Sequence, residues 1–211
     1  MKRAWTLALL FLLAGCGSGF AAELDAQPGD ALYQDDFSDP SSGWPRISAE
    51  VGAMDYYNGV YRILVNAADY DLWSAPGKNY TDVRLEVDAA RLAGPAENRF
   101  GLVCRYRSAQ DFYFFVISSD GYYTIGKFGG GVVSLLGQPT MAYNAAIVTG
   151  VAPNHLRFDC VGASLTGYVN GQMVAITQDA AFPDGDVGLI AGAFDVPGVD
   201  VVFDNFVVMK P

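Results

Sequence analysis

Apolar and charged side chains alternate most cleanly between Asp82 and Leu92. Val83, Leu85, Val87 and Ala89 fall on one side, and Asp82, Arg84, Glu86 and Asp88 on the other. A period of two over this length predicts a β-strand buried on one face only. The pattern resumes from Arg99 to Arg107. There Phe100, Leu102, Cys104 and Tyr106 share a face, opposite Arg99, Arg105 and Arg107. Phe112 to Ile117 is apolar on both faces, which suits a central strand. Ser118 to Gly121 turns the chain into a further strand, Tyr122 to Phe128.

Shorter strands surround this block. Ala31–Phe37, Tyr70–Ala75, Val132–Leu136, Asn154–Val161, Asp186–Ala193 and Val199–Met209 read as strands. Asn58-Gly59 and Asn170-Gly171 each sit between two apolar runs and predict tight hairpins, because both residues tolerate the positive φ of a type I′ turn. About thirteen strands are expected, with no convincing helix after the N-terminus and no internal repeat. Short strands with turn signals at this spacing predict an all-β sandwich.

The first residues break the pattern. Lys2 and Arg3 precede a ten-residue apolar run, Ala4 to Leu13, too short to span a bilayer and of signal-peptide proportions. Leu13-Ala14-Gly15-Cys16 resembles the bacterial lipobox, which implies cleavage before Cys16 and lipidation of its thiol. The expected organisation is a signal peptide over 1–15, a lipid-anchored tether over 16–30, and one domain over 31–211. Gly17 after the cysteine implies, by resemblance, export to the outer membrane. The tether is small, polar and carries Pro28-Gly29, giving an end-to-end distance of roughly 20 Å. The expected location is the bacterial cell envelope, facing the periplasm or the exterior.

Composition sharpens this. A length of 211 residues, half of them hydrophobic, allows one domain with a full core. Net charge is −10, and −12 once Lys2 and Arg3 are removed (11 basic against 23 acidic residues). Such a domain repels phosphate backbones, so nucleic acid is not an expected partner. With Cys16 lipidated, Cys104 and Cys160 remain, an even number for an oxidising compartment. Both fall on apolar strand faces, and a disulfide between them is predicted.

Several stretches together carry a resemblance: DDFSDPSSGW, FYFFVISSDGYYTIGKF, NHLRFDCVGASLTGYVNG and DVGLIAG with VVFDNFVV. They are similar to bacterial envelope proteins with a concanavalin A-like (lectin/glucanase, LamG-like) jelly roll. That superfamily includes 3-keto-disaccharide hydrolase-like domains and family 16 glycoside hydrolases. The resemblance runs from about Ala31 to Met209 and implies a jelly-roll β-sandwich of two antiparallel sheets. It says little about function, since many such domains bind sugars or proteins without catalysis.

The candidate chemistry is sparse. Family 16 enzymes place three acids on one strand as Glu-x-Asp-x-Glu; here Glu86 and Asp88 match and the third position is Ala90. Without a proton donor the two-carboxylate mechanism is incomplete, so no catalytic residue is assigned. His155 is the only histidine and reads as a surface or edge residue. No cofactor is expected. Acids at Asp35-Asp36, Asp184-Asp186 and Asp200-Asp204 leave a structural calcium ion open, as LamG-like domains often carry one. The aromatic run of Tyr106, Phe112, Tyr113, Phe114, Phe115, Tyr122 and Tyr123 is the better lead. Half of its rings belong in the core, and the rest, with Arg105 and Arg107, are expected on the outer face of one sheet. Tyr113, Phe115, Tyr122 and Tyr123 are the candidate ligand-binding aromatics, with Glu86 and Asp88 as acidic candidates. Aromatic faces stack on sugar C–H groups. The expected activity is non-catalytic binding of polysaccharide or an envelope protein. A glycan hydrolase and a structural interaction module are the alternatives.

Overall fold

The computed structural model describes residues 26–211. Cys16 and the signal segment lie outside the described residues. Among the described residues the chain forms sixteen strands and no helix. They are β1 (Ala31–Asp35), β2 (Ile47–Ala49), β3 (Gly52–Tyr57), β4 (Val60–Val65), β5 (Tyr70–Ser74), β6 (Val83–Ala93), β7 (Asn98–Ser108) and β8 (Asp111–Ile117). Then come β9 (Tyr122–Gly129), β10 (Val132–Leu136), β11 (Ala142–Tyr143), β12 (Asn154–Val161), β13 (Ser164–Val169), β14 (Gln172–Gln178), β15 (Asp186–Ala193) and β16 (Val199–Met209). Both Asn-Gly hairpins form: Asn58, Gly59, Asn170 and Gly171 all have positive φ.

The strands make a jelly-roll sandwich of two antiparallel sheets. The wide sheet has nine strands in the order β14-β13-β12-β6-β16-β4-β3-β2, with β1 also paired to β16. The narrow sheet has seven, in the order β10-β9-β8-β7-β15-β5, with β11 paired to β9. β16 organises the wide sheet. Its first half pairs with β4, and its second half, from Phe206, pairs with β1, while β6 runs along its other side. The change falls at a bulge where Asn205 takes φ 54°. Ahead of β1, Gln27 to Asp30 form a turn held to Lys210 by backbone hydrogen bonds in both directions. Residues just before Ala31 are thus joined to the end of β16.

The core lies between the sheets and follows the alternation in the sequence. Val83, Leu85, Val87 and Ala89 of β6 face Phe100, Leu102 and Cys104 of β7, and all are buried. The disulfide Cys104–Cys160 joins β7 of the narrow sheet to β12 of the wide one. One end of the sandwich is closed by the opening segment. Phe37, Trp44, Tyr61 and Phe206 pack with ring centroids 5.1–5.5 Å apart. The indole N–H of Trp44 donates to the buried Asp35 carboxylate at 3.0 Å, so the polar edge of this plug is satisfied.

Candidate functional site

The outer face of the wide sheet is polar because β6 and β12 lie side by side in a register that sets carboxylates opposite arginines and a histidine. His155 lies opposite Asp88, Arg157 opposite Glu86 and Asp159 opposite Arg84. His155 Nδ1 is 2.8 Å from Asp88, and its Nε2 is 3.5 Å from Glu86. Asn205, turned outward by the β16 bulge, donates to the second Asp88 oxygen at 2.9 Å. Arg157 holds Asp159 through two nitrogens, and its guanidinium lies 4.4 Å over the Tyr168 ring. Glu86 and Asp88 are thus brought together with His155, a cross-strand contact that spacing along the chain does not reveal. Ala90 stands where a third acid would complete a glycosidase set, beside an open depression bordered by Asp88, His155 and Asn205.

The outer face of the narrow sheet is apolar. Along β8 the alternation directs Tyr113, Phe115 and Ile117 into the inter-sheet core and Phe112, Phe114 and Val116 outward. Phe115 packs on Phe158, and its ring fills the space that a side chain at Gly167 would need. Tyr113 and Phe115 are therefore core residues, out of reach of a ligand on either outer face. The Tyr113 hydroxyl donates to Asp179 at 2.6 Å, and burial together with this bond pushes its pKa up to about 12. Asp179 also accepts from Lys127 Nζ at 2.5 Å. Burial pushes the Asp179 carboxyl up, but the hydrogen bonds from Lys127, Tyr113 and the Ala181 amide outweigh it and hold it below the usual range.

Arg105 corrects a second expectation. The β7 alternation breaks there: Arg105 takes φ 52° and the pairing with β8 slips between Cys104 and Ser108. An arginine in the left-handed region is uncommon, and here its side chain offsets the cost. The guanidinium is buried and donates to the carbonyls of Thr81 and Phe182 and to the Asp82 carboxylate. It ties two segments, Thr81–Asp82 and Phe182, to β7 and lies in the interior. The same bulge turns Tyr106 from the inner to the outer face, where its ring lies 5.6 Å from Phe112. Arg107, beyond the bulge, is exposed and 4.0 Å from Asp184. Tyr122 is exposed, with its ring edge on Tyr143, while Tyr123 is half-buried against the inter-sheet core.

The groove on the narrow sheet is thus built from aromatics other than the candidates named above. Trp73 of β5 reaches across β15 and β7 to Phe112 of β8 and Phe128 of β9, with centroids 5.1 and 5.5 Å away. Phe112 and Phe128 stack at 4.6 Å. Trp73, Tyr106 and Phe128 remain partly open and roof the buried Phe112 and Val103. Beside this platform lies a pit of about 210 Å³ walled by Phe114, Val116, Leu135, Met141 and Ile190. Two glycines make room for residues that line it. A side chain on Gly126 would collide with the Phe114 ring, and one on Gly192 with the Arg99–Asp71 pair. That pair closes one end of the pit: Arg99 Nε and Nη2 donate to the two Asp71 oxygens at 2.5 and 3.1 Å, and the guanidinium lies 4.5 Å over the Phe194 ring.

The loop acids each have local tasks. Asp36 accepts from Ser38, Asp186 from the amides of Gly77 and Val187, and Asp200 from Arg62 in a two-pronged pair. Burial pushes the Asp186 carboxyl above its ordinary pKa, against the pull of its amide donors. No group of three or more His, Cys, Asp or Glu side chains able to hold a metal occurs among the described residues.

No protein-family model and no curated protein sequence matches the chain. Solved structures do match it in fold. The carbohydrate-binding module CBM66 from Bacillus subtilis aligns over 80% of this chain and 96% of its own, with a TM-score of 0.63 at 18% identity. A Bacillus subtilis protein of unknown function with a galectin-like fold aligns over 87% and 97%, with a TM-score of 0.63 at 10% identity. A xylan β-1,4-xylosidase from Bacillus halodurans aligns over 84% of this chain and 39% of its own, with a TM-score of 0.58 at 14% identity. At such identities the likeness is one of architecture, and the chain is an all-β jelly-roll sandwich of the kind these proteins contain.

Proposed function

We propose that the protein is a non-catalytic binding module of the bacterial cell envelope, anchored by a lipid on Cys16, that takes carbohydrate on the outer face of its narrow sheet. The observation that carries this reading is the platform of Trp73, Tyr106 and Phe128, partly open above a buried aromatic layer and flanked by Arg99 and Asp71. Aromatic rings accept the C–H faces of sugars, and the Arg99 guanidinium, held at the edge of the platform by Asp71, places a charged donor beside them. A carbohydrate-binding module and a xylosidase among the fold neighbours favour a sugar over other envelope components. The wide sheet favours no catalytic reading. Glu86 and Asp88 are engaged by His155 and Asn205 and lack a third acid partner.

The anchor rests on the apolar run ending in Leu13-Ala14-Gly15-Cys16 and on the remaining cysteines pairing with each other. The test is a glycan array and a cell-wall pull-down with the mature protein and its Trp73→Ala variant, after circular dichroism shows that both are folded. Binding that falls at least tenfold in Trp73→Ala supports the proposal. A blank array and a blank pull-down overturn the sugar reading. For the anchor, a Cys16→Ala protein should move from the membrane to the soluble fraction.

A further inference from the structure

The pit beside the platform has the wrong chemistry for a bare sugar ring. Of its eleven lining residues, only Asp71, Arg99 and Thr124 carry polar side chains. Asp71 and Arg99 are already paired, and the Thr124 hydroxyl donates to the Ile125 carbonyl at 3.2 Å. A hexose brings several hydroxyls, and each one buried without a partner weakens binding about fivefold or more. The volume, about 210 Å³, is also below the ~300 Å³ at which sites for whole drug-sized ligands begin. The pit therefore suits a small apolar group with at most one acceptor. Arg99, which lines the pit, supplies the matching donor: Asp71 takes its Nε and Nη2, and Nη1 is the guanidinium nitrogen outside that pair.

We infer that the ligand is an acylated saccharide: the sugar ring lies on the Trp73–Tyr106 platform, the acyl carbons enter the pit, and the acyl carbonyl oxygen accepts from Arg99 Nη1. This rests on the carbohydrate reading of the face and narrows it to glycans bearing O- or N-acyl groups. Each buried methyl or methylene is worth roughly a fourfold gain in affinity. Removing the acyl group also returns a hydroxyl to an apolar wall, so the acylated form should bind about tenfold tighter or better.

The experiment titrates the mature protein with a panel of acetylated polysaccharides, each beside its alkali-deacetylated form, and with phosphatidylcholine vesicles carrying or lacking a glycolipid. The Met141→Asp variant serves as control, since Met141 is a half-buried loop residue on the pit wall. A preference of tenfold or more for an acetylated polymer, lost in Met141→Asp, supports the inference with a decorated polysaccharide as the source. Binding only to glycolipid vesicles, again lost in Met141→Asp, supports it with a lipid acyl chain as the source. Equal binding of acetylated and deacetylated polymers by both proteins overturns it while leaving the carbohydrate reading intact. No binding in any arm overturns both.

Discussion

Reducing the Cys104–Cys160 disulfide removes a cross-link without removing an atom from the core, so it isolates the tether from the packing. The bridge spans 56 residues of sequence and joins the central strand β7 of one sheet to β12 of the other. On the chain-entropy relation, a loop of that length in the unfolded state is worth about 4 kcal/mol at 25 °C. Both sulfurs lie in the fully buried inter-sheet core. Their free thiols would remain as well-packed small hydrophobes, so little native-state penalty adds to the entropic one. The assay is urea unfolding followed by tryptophan fluorescence, with and without a phosphine reductant. With m near 2 kcal/mol/M, as is common for a domain of this size, the midpoint should fall by roughly 2 M. The slope m should stay the same or rise, because the native surface is unchanged and the unfolded chain, freed of its cross-link, exposes at least as much surface. A midpoint shift below about 0.5 M would refute the reasoning. It would mean either that the bridge is absent in solution or that the unfolded chain keeps these strands together.

Three further predictions test particular contacts. Gly192→Ala should force Arg99 and Asp71 apart and cost about 1–3 kcal/mol, measured by thermal unfolding; a neutral result would mean that the pair re-forms elsewhere. Asp179→Asn should destabilise at pH 7 by about 2 kcal/mol. The depressed carboxyl stabilises the fold above its unfolded pKa of about 3.9, and that contribution is lost as pH falls through the lower folded value. The gap between variant and parent should therefore close in strong acid, and a gap constant down to pH 2 would exclude this pair as its origin. The Tyr113 phenol is pushed up to about 12, so its contribution is whole below an unfolded pKa of about 10 and fades as pH rises toward and past 12. Phenolate absorbance should show one late-titrating tyrosine fewer in Tyr113→Phe.

The inner faces of the sandwich were legible in the sequence and the outer faces were not. Alternation along β6 and β12 identified the buried residues because one face of each strand is charged, and a charged face cannot turn inward unpaired. The hairpins were legible because Asn-Gly has few other conformations to offer. β8 has no such marker. FYFFVI is apolar on both faces, and which half faces the core depends on β7 and β9 in three dimensions. Arg105 misled for a related reason. Nothing in CRYRS announces a bulge, and the one-residue slip exchanges the roles of Arg105 and Tyr106. The two-residue β11 and the three-residue β2 are too short for any period to register. The Asp88–His155 contact depends on two strands 67 positions apart meeting in one register, which no local pattern contains.

The two outer faces differ in a way that bears on where a ligand can go. On the wide sheet Arg84 and Arg157 are paired with Asp159, and Asp88 is held by His155 and Asn205, so a ligand would have to compete with those contacts for Asp159, Asp88 or Arg157. On the narrow sheet the aromatic side chains have satisfied one another only in part. Phe112 and Phe114 are covered, but Trp73, Tyr106 and Phe128 keep surface in contact with water. Leu135 and Met141 pack on the outer cluster from one side, and Trp73, Tyr106 and Phe128 stay only half-buried. Covering that surface gains the hydrophobic term at about 25 cal/mol per Å² without breaking an existing ion pair. A saccharide that lays its C–H face on Trp73, Tyr106 and Phe128 and keeps its hydroxyls toward water meets little competition there, whereas a hydroxyl or a charge forced into the pit meets an apolar wall.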